Sequence, residues 1–367
     1  MVSLESLRGY VLEEVLARLL YANGYRLLVS ELQDPEALTR GAHGLLVRGR
    51  GADHQADVLG ELTLPVPFSL PLRIFVEAKY REAKANLRDV RNAHGVVHDV
   101  NEQYATASAG ARAIPVRRYH YRYTLFSANG FSRPAQQYAL AQQISLVDLS
   151  SPAFTGLLEA ANHTAHQLYE LAQEVRVSPF PTGQVRTALR LALGTWTADE
   201  PQGPDSDLDL RTPARRARRA SHLNAAQREP LQLPAEPLAR IAANLVEQVS
   251  GNLLLGFPTA PFVLALSPDD PAALSAYVAR HGPDVRVNIE FATRREVTGD
   301  WVIMPADDSR TFQLRFALPA LLEDWLLRDD GAALLRARDV KADLLSSIAV
   351  FLDGRLVRLL FQPRRRG

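Results

Sequence analysis

Two neighbouring segments constrain the fold of this chain most: an apolar run that ends in Glu77-Ala78-Lys79, and a shorter segment before it that carries Asp57. Residues 72–76 are almost continuously apolar, which is typical of a strand buried on both faces. Successive side chains of a strand point to opposite faces, so Glu77 and Lys79 lie together and Ala78 points away. A carboxylate and an ammonium group at such a strand end require water, a partner or a metal ion, because burying them unpaired is unfavourable.

These charged groups match the needs of metal-dependent phosphodiester hydrolysis. The reaction requires an in-line water, neutralised charge on the phosphate oxygens and help for the leaving oxygen. Mg²⁺ prefers a few hard carboxylate oxygens and keeps several water ligands, so Asp57 and Glu77 are candidate ligands and Lys79 would orient the attacking water. The same residues also allow a partly exposed Glu77–Lys79 ion pair with no catalytic role, since Glu-x-Lys is a common tripeptide.

Length and composition limit the class of protein. The chain has 367 residues, enough for two domains, and its 42 Lys and Arg residues nearly balance its 41 Asp and Glu residues. Any nucleic-acid surface must therefore come from local clusters of charge. The absence of cysteine excludes disulfides and cysteine-ligated metal centres. No apolar run approaches a membrane span and the start lacks the basic segment of a signal peptide, so we expect a soluble, cytoplasmic protein.

The pattern of residues 1–178 predicts one α/β domain with a trailing helix. Apolar residues with a helical period predict helices over 4–23, 87–107, 134–142 and 154–175. Short apolar runs predict strands over 25–32, 45–48, 56–62, 72–79, 121–128 and 144–149.

The rest of the chain predicts a linker and a second domain. Residues 197–236 are rich in Pro, Asp and Arg and have little apolar periodicity, which is typical of a linker. Residues 237–367 predict an α/β or α+β C-terminal domain for recognition or regulation. Its expected helices are 237–249, 271–280 and 319–328, and its expected strands are 261–266, 285–291, 301–304 and 311–316. Asp353-Gly354 between two further apolar runs predicts a hairpin over 348–361.

The N-terminal elements and motifs resemble, in their order, the restriction-endonuclease fold with its PD-(D/E)xK motif, and most closely the Mrr-type restriction endonucleases. Residues 49–58 resemble the Gly-rich segment that leads into the metal-binding aspartate of that group, with His54 and Gln55 in place of usual glycines. Residues 75–79 resemble its strand ending in E-x-K, and residues 125–148 resemble the strand–helix–strand that closes its core. The resemblance covers about residues 4–149 and implies a central mixed sheet flanked by helices.

The resemblance also implies roles for individual residues. It implies an endonuclease that cleaves DNA with Mg²⁺, or with Mn²⁺ in its place, in restriction of or defence against foreign DNA. Asp57 and Glu77 would bind the metal, and Lys79 and Glu13 of the first helix would complete the catalytic set. Gln55 shares strand parity with Asp57 and would support the site, whereas His54 would point the other way. Glu13 could equally be a solvated helix residue, and Glu14 is expected to pair with Arg18 on the helix surface.

The basic and aromatic run of residues 117–123 is a candidate nucleic-acid contact. It interleaves cations with rings in a way that suits phosphates and stacked bases, or else it is one exposed face of a strand. The candidate contact residues are Arg117, Arg118, Tyr119 and Arg122. Basic clusters at 215–219 and 364–366 could likewise hold a nucleic-acid backbone or remain solvated.

Three functional classes remain open from the residues. The leading hypothesis is a magnesium-dependent DNA endonuclease with no membrane partner. The alternatives are a non-catalytic nucleic-acid-binding or regulatory protein with a nuclease fold, and a nuclease effector gated by a signal. Symmetric cutting of both strands needs two active sites, which makes a homodimer a reasonable expectation. The C-terminal domain would bind a recognition element or ligand that no motif identifies.

Overall fold

The computed structural model describes residues 2–41, 44–62, 70–109, 112–116, 118–196, 232–249, 253–260, 262–291, 301–307, 309–328 and 331–363. The predicted linker lies outside the described residues as far as residue 231, and so do Arg117 and the basic clusters at 215–219 and 364–366. No helix in the described part of the chain is long and apolar enough to cross a membrane.

The chain begins with helix α1 (Leu4–Ala22), which carries Glu13. Its start is capped because the Ser3 hydroxyl accepts a hydrogen bond from the Ser6 backbone N–H at 3.1 Å. Its end comes at Asn23, and Gly24 turns the chain away with a φ of +83°, a conformation that glycine adopts without strain. The predicted first helix is therefore confirmed to within a residue.

A five-stranded mixed sheet follows, in the order β1-β5-β6-β9-β10. Strand β6 pairs antiparallel with β5 and parallel with β9, β1 adds antiparallel to β5, and β10 adds parallel to β9. The strands are β1 (Tyr25–Leu27), β5 (Val58–Leu62), β6 (Leu72–Lys79), β9 (His120–Ser127) and β10 (Ser145–Asp148). Helices α2 (Leu87–Asn101) and α3 (Arg133–Gln142) cover one face, and α1 covers the other. The predicted central mixed sheet flanked by helices is confirmed.

Two small sheets extend this unit. Strands β2 (Leu38–Arg40), β3 (Leu45–Arg48) and β4 (Asp53–Gln55) form an antiparallel sheet, and β7 (Ala105–Ala109) pairs antiparallel with β8 (Arg112–Val116). The prediction of one helix over 87–107 is wrong beyond Asn101, because the Asn101 side chain turns to make two 2.9 Å hydrogen bonds with the backbone of Tyr121.

A layer of four helices packs beside the sheet. Helices α4 (Thr155–Glu174), α5 (Thr182–Leu193) and α6 (Ala235–Val249) bury their apolar faces against one another and against α1. The sequence pattern predicts α6 as part of the C-terminal domain and predicts no element at α5. The structure instead packs both helices on the N-terminal unit, because Leu168, Leu189 and Leu245 meet in one core with Val11.

The C-terminal part is a closed seven-stranded barrel, in the order β11-β12-β15-β14-β13-β17-β16. Its strands are β11 (Leu254–Pro258), β12 (Leu264–Pro268), β13 (Asp284–Phe291), β14 (Trp301–Pro305), β15 (Leu314–Phe316), β16 (Ser347–Leu352) and β17 (Arg355–Phe361). Helices α7 (Pro271–His281), α8 (Ala320–Leu326) and α9 (Ala333–Asp339) and a π-helical turn (Val340–Leu344) connect them. The mixture of helices and strands matches the predicted class, but the closure was not predicted, because β11 closes the barrel by pairing with both β12 and the distant β16.

The barrel is anchored on the end of α1. The Asn23 side chain accepts a hydrogen bond from Leu255 N at 2.7 Å and donates one to Leu19 O at 2.8 Å. The ring of Phe351 lies against Gly24, where an added Cβ would come within 2.5 Å of it. The barrel and the sheet consequently share one apolar core around Leu255.

Candidate functional site

Asp57 and Glu77 lie close together where β5 begins and β6 ends. The antiparallel register of these strands ends at the pair Val58–Val76, one residue from each carboxylate. Asp57 N donates to Val76 O at 3.1 Å, and Ala78 N donates to Asp57 Oδ2 at 2.8 Å. Burial raises the pKa of Asp57, and the charge of Glu77 adds to this rise, as a neighbouring carboxylate does. Two predicted metal ligands are therefore close together, and the backbone holds one of them.

Glu77 is held by two groups. Its Oε1 forms an ion pair with Lys79 Nζ, and its Oε2 accepts a hydrogen bond from the Tyr123 hydroxyl at 2.6 Å. The side chains of Glu77 and Lys79 keep 25% and 27% of their surface exposed, so solvent and a substrate can reach the pair. The ring of Tyr123 stacks on Phe75 with centroids 4.8 Å apart.

Tyr123 contacts the candidate site through Glu77, a role that its sequence position does not predict. Burial, and then the neighbouring Glu77 carboxylate, raise the pKa of Tyr123 well above its usual range, so its hydroxyl keeps the proton that it donates. The sequence placed Tyr123 within the basic and aromatic run. Its role becomes visible only once β9 is known to pair with β6, where Tyr123 lies opposite Phe75.

The loop that leads to Asp57 is fastened to the end of α2 by Asp99. The Asp99 carboxylate accepts hydrogen bonds from Gly51 N at 2.8 Å and Ala52 N at 3.2 Å, and it contacts His54 Nε2 at 2.8 Å. The hydrogen bond with His54 lowers the pKa of Asp99, so the carboxylate stays ionised. His54 thus contacts Asp99 and is directed away from Asp57, as strand parity predicted.

Glu13 and Glu14 of α1 meet two arginines from α5. Arg186 forms an ion pair with Glu13, and Arg190 binds Glu14 through two hydrogen bonds of 2.9 Å and 3.0 Å. The prediction that Glu14 forms a surface pair with Arg18 is wrong: Glu14 is 2% exposed, because α5 packs over this part of α1.

The arginines lie on a helix for which a sequence signal did exist. Val185, Leu189 and Leu193 recur at four-residue intervals, and Gly194 ends the helix with a φ of +66°. That spacing is typical of an amphipathic helix with a glycine stop. Nothing in the local sequence, however, indicates which carboxylates its arginines meet.

Glu13 and Asp57 belong to the same electrostatic site. Burial raises the pKa of Glu13 to about 8, with Arg186 acting against the rise and Asp57 and Glu14 adding to it. Burial also raises the pKa of Asp57, which the Ala78 N–H counteracts and the neighbouring Glu77 reinforces. Carboxyl groups that raise one another's pKa are a recurrent property of catalytic and metal-binding sites.

A small cavity of about 50 Å³ connects these groups. Its polar lining is Glu13, Glu14, Gln55, Asp57, Arg186, Arg190 and Thr195. Gln55 ends β4 with its side chain exposed, beside the carboxylate that strand parity predicted it would support. Asp57 joins this cavity to the Glu77–Lys79 pair, so the structure brings all four predicted catalytic residues and Gln55 to one place.

The described members of the basic and aromatic run lie elsewhere. Glu77 pairs in register with Leu125, and Arg118 lies seven residues before Leu125, which corresponds to roughly 23 Å along the strand. Arg118 contacts Asp34 Oδ1 at 3.2 Å and Glu36 Oε2 at 2.7 Å. Tyr119 also lies at this opposite end of the sheet, where its ring centroid is 3.3 Å from the guanidinium carbon of Arg73. Arg122 is nearer, because it pairs in register with Ile74, roughly 10 Å along the strand from Glu77, and it donates to Gln143 Oε1 at 2.9 Å. Any DNA contact by Arg118 or Tyr119 would therefore be remote from Glu77.

The donor set fits a magnesium ion. Among the described residues no group of three or more histidine, aspartate or glutamate side chains is arranged to hold a metal. Mg²⁺ does not require such a group, because it is bound through one or two carboxylates and completes its shell with water and phosphate oxygens. Asp57 and Glu77 supply two hard carboxylates, and their mutual repulsion is the kind of strain that a bound cation relieves.

Comparisons with known proteins leave the family open. No family model matches the chain, and no curated protein matches it. Among solved structures, the chain is similar to the crystal structure of a protein of unknown function, AF1548, with 19% sequence identity and a TM-score of 0.26. This similarity covers 39% of the present chain and 59% of the other. A similarity this slight carries no argument about fold or activity.

Proposed function

We propose that this protein is a magnesium-dependent endonuclease that hydrolyses phosphodiester bonds of DNA. The observation that carries the proposal is the closeness of Asp57 and Glu77, which flank the last paired residues of two antiparallel strands, with Lys79 in contact with Glu77. If these residues had only a structural role, the ion pair between Glu77 and Lys79 would be sufficient. Two carboxylates and a lysine at an accessible strand edge fit phosphodiester hydrolysis better.

Asp57 and Glu77 would hold the magnesium ion, which when bound would supply the positive charge that polarises the phosphate and activates the attacking water. The Ala78 N–H and the Tyr123 hydroxyl orient the two carboxylates, so that their geometry does not depend on the substrate. Lys79 would hold the attacking water in place and stabilise negative charge on the phosphate oxygens.

Glu13 would transfer a proton in this reaction. A carboxyl group with a pKa of about 8 both holds and releases a proton near neutral pH, which is the property of an effective general acid or base. Its place on the cavity beside Asp57 puts it within the same site. Gln55 would hydrogen-bond the substrate or water at the cavity mouth.

DNA as the substrate, and restriction or defence as the setting, rest on the resemblance to Mrr-type enzymes in residues 4–149. The same resemblance supports Mn²⁺ as a substitute for Mg²⁺. Symmetric double-strand cleavage would require a homodimer, and a cytoplasmic location would give access to foreign DNA. The barrel would then recognise a DNA feature or a ligand.

The test is cleavage of supercoiled plasmid, unmodified and methylated, with and without Mg²⁺. We expect magnesium-dependent nicking or linearisation by the wild type, and a loss of at least about 100-fold in Asp57→Asn and Lys79→Ala. Lys84→Ala, on the segment after β6, is the matched lysine control and should cut like the wild type. Unchanged cleavage by Asp57→Asn would overturn the site assignment.

A signal-gated nuclease effector is the second candidate. Its support is the barrel, which hydrogen-bonds to the end of the helix that carries Glu13. A barrel ligand could therefore move α1. A wild type that binds duplex DNA but cuts neither plasmid with Mg²⁺ would favour gating if an added activator restored cleavage. Binding without cleavage under every condition would favour the non-catalytic nucleic-acid-binding alternative.

A further inference from the structure

Helix α5 adds two arginines to a cavity otherwise built from α1 and the sheets. Arg186 and Arg190 lie one helical turn apart, and both line the cavity that contains Asp57. The resemblance to Mrr-type enzymes ends near residue 149, so it assigns neither arginine a role. Arg186 and Arg190 make different contacts, and these contacts indicate different roles.

Arg190 is placed as a structural residue. Its guanidinium binds both oxygens of Glu14, and that carboxylate is 2% exposed. The Nε and one Nη of Arg190 thus form a bidentate pair with a buried carboxylate, which holds α5 against α1.

Arg186 is placed differently. It forms its closest ion pair with Glu13, lies 3.7 Å from an oxygen of Glu14, and has the ring of Tyr10 5.0 Å from its guanidinium carbon. Its charge also lowers the pKa of Asp57, so its field reaches the proposed metal ligand. Arg186 lines the cavity beside Asp57 and keeps 11% of its side-chain surface exposed, so a substrate anion would reach its guanidinium through this cavity.

The charge balance of the site calls for such a cation. The described residues of the site include four carboxylates, Glu13, Glu14, Asp57 and Glu77, and three cations, Lys79, Arg186 and Arg190. With every group ionised, the site carries one net negative charge, and a bound Mg²⁺ would give it one net positive charge that attracts a phosphodiester. Without Arg186 the metal-loaded site would be neutral, so Arg186 supplies the charge that attracts the phosphate.

We propose that Arg186 binds a non-bridging oxygen of the DNA phosphate at the active site, with Glu13 holding its guanidinium in position before the substrate arrives. This inference rests on the proposed nuclease function. Arginine suits the role because its planar guanidinium presents a fork of N–H donors to phosphate oxygens and gives up its hydration more readily than lysine does. Arg186 is therefore a substrate-binding residue supplied by a helix outside the α/β unit.

The first test measures binding without cleavage. Affinity for a labelled 30-base-pair duplex would be measured with Ca²⁺ in place of Mg²⁺, over a series of KCl concentrations, for the wild type, Arg186→Gln and Arg240→Gln. We expect Arg186→Gln to bind about tenfold more weakly. The slope of log affinity against log salt should become shallower by about 1, as expected for the loss of one phosphate contact. Arg240 is exposed and pairs with Glu236 on α6, so its variant is the matched control and should bind like the wild type.

The second test measures single-turnover cleavage with Mg²⁺. Arg186→Gln should cut about 100-fold more slowly, as when one donor to the developing charge is removed. Arg186→Lys keeps the charge and loses the fork, so it should restore the salt slope and recover part of the rate. Should Arg186→Gln fail to fold, as judged by thermal unfolding, a rate about tenfold below the wild type in Arg186→Lys would support the contact.

The outcomes separate this inference from the proposed function. An unchanged salt slope in folded Arg186→Gln, or a wild-type rate in Arg186→Lys where the glutamine variant does not fold, would overturn the phosphate contact. A wild type that cuts no DNA under any condition but shows the shallower slope in Arg186→Gln would overturn nuclease activity and leave the phosphate contact standing. A wild type that binds no duplex DNA would overturn both.

Discussion

At the residue scale, the carboxylate of Glu77 is set by neighbours on two strands. Lys79 lies on its own strand and Tyr123 lies on β9, so the two contacts come from opposite directions. A carboxylate held in this way loses little conformational freedom when a cation binds, which favours a preorganised site. The phenol differs from a second lysine in adding no charge, because its raised pKa keeps it neutral.

Removing the Tyr123 hydroxyl tests this arrangement. We expect Tyr123→Phe to fold, to lose about 1 kcal/mol of stability and to cleave DNA about tenfold more slowly, because Glu77 loses an orienting donor while Lys79 remains. Single-turnover cleavage and urea denaturation would measure the two effects. Tyr138→Phe removes a hydroxyl that bonds His94 between α2 and α3, and it should cleave at the wild-type rate. Cleavage by Tyr123→Phe at that same rate would show that the hydrogen bond is dispensable.

Glu13 predicts a pH dependence of stability. Its pKa rises from 4.5 to about 8 on folding because it is buried near Asp57 and Glu14 and only Arg186 opposes the rise. Between these values the folded protein holds a proton that the unfolded chain releases, so the wild type loses stability as the pH rises. Glu13→Gln lacks this loss, and its stability relative to the wild type should increase by about 2–3 kcal/mol from pH 5 to pH 8.

Urea denaturation at several pH values would measure this difference. The matched control is Glu5→Gln on the exposed start of α1, whose stability should follow the wild type across the range. A difference between Glu13→Gln and the wild type that does not vary with pH would contradict the raised pKa.

At the element scale, the loop between β3 and β4 is shaped by its contact with α2. Asp99 accepts two backbone hydrogen bonds from this loop, and the Arg50 N–H donates to Asp99 O at 3.1 Å. The loop approaches so closely that an added Cβ at Gly49 would lie 2.0 Å from Asp99 Oδ2 and 2.5 Å from Ala52 O. Gly49 is required because a side chain at this position would collide with Asp99 and Ala52. The loop then continues to Gln55 and Asp57.

Two glycine substitutions near α2 should therefore have opposite effects. Gly49→Ala should destabilise the protein by about 1–3 kcal/mol, because the new methyl group forces the loop away from Asp99. Gly95→Ala lies within α2 with no atom within 4 Å of the added Cβ, and it should stabilise the protein by about 0.5–1 kcal/mol. Chemical denaturation would measure both. Equal stability of Gly49→Ala and the wild type would mean that the loop can move away from Asp99 without lowering the free energy of unfolding.

At the scale of the whole molecule, α1 connects the site to the barrel. Glu13 lies in the middle of the helix, and Asn23 at its end bonds the first strand of the barrel. The apolar core beneath this junction contains residues from the sheet, from α1 and from β11. Segments that share a buried core are expected to unfold together.

Asn23→Ala tests this junction. Asn23 is 1% exposed, and its loss would leave the Leu255 N–H and the Leu19 carbonyl without this partner in a buried place, which should cost about 2–3 kcal/mol. Denaturation would be followed by circular dichroism and by tryptophan fluorescence, to which the buried Trp301 of the barrel contributes. In the wild type, the unfolding transitions followed by circular dichroism and by tryptophan fluorescence are expected to coincide. Asn129→Ala removes an exposed hydrogen bond to Arg81 O and should change stability by less than about 0.5 kcal/mol.

Some features of this protein follow from its sequence because their causes are local. The strand Leu72–Lys79 and the strand Leu45–Arg48 have the predicted bounds, since alternation and apolar runs act between near neighbours. The meeting of Asp57 and Glu77 also follows locally, because a short connection between two strands favours antiparallel pairing. The sequence thus determined the central sheet and the carboxylate pair that the proposed chemistry requires.

The tertiary structure alone decided the partners of these groups. Arg186 and Glu13 are 173 residues apart in the chain, and Tyr123 and Glu77 are 46 apart. No periodicity or turn signal carries information over such separations. Closure of the barrel likewise depends on β11 meeting β16, which lies almost 100 residues later. Such contacts depend on which apolar faces pack together, and here the packing of α5 on α1 put an arginine beside the acidic site.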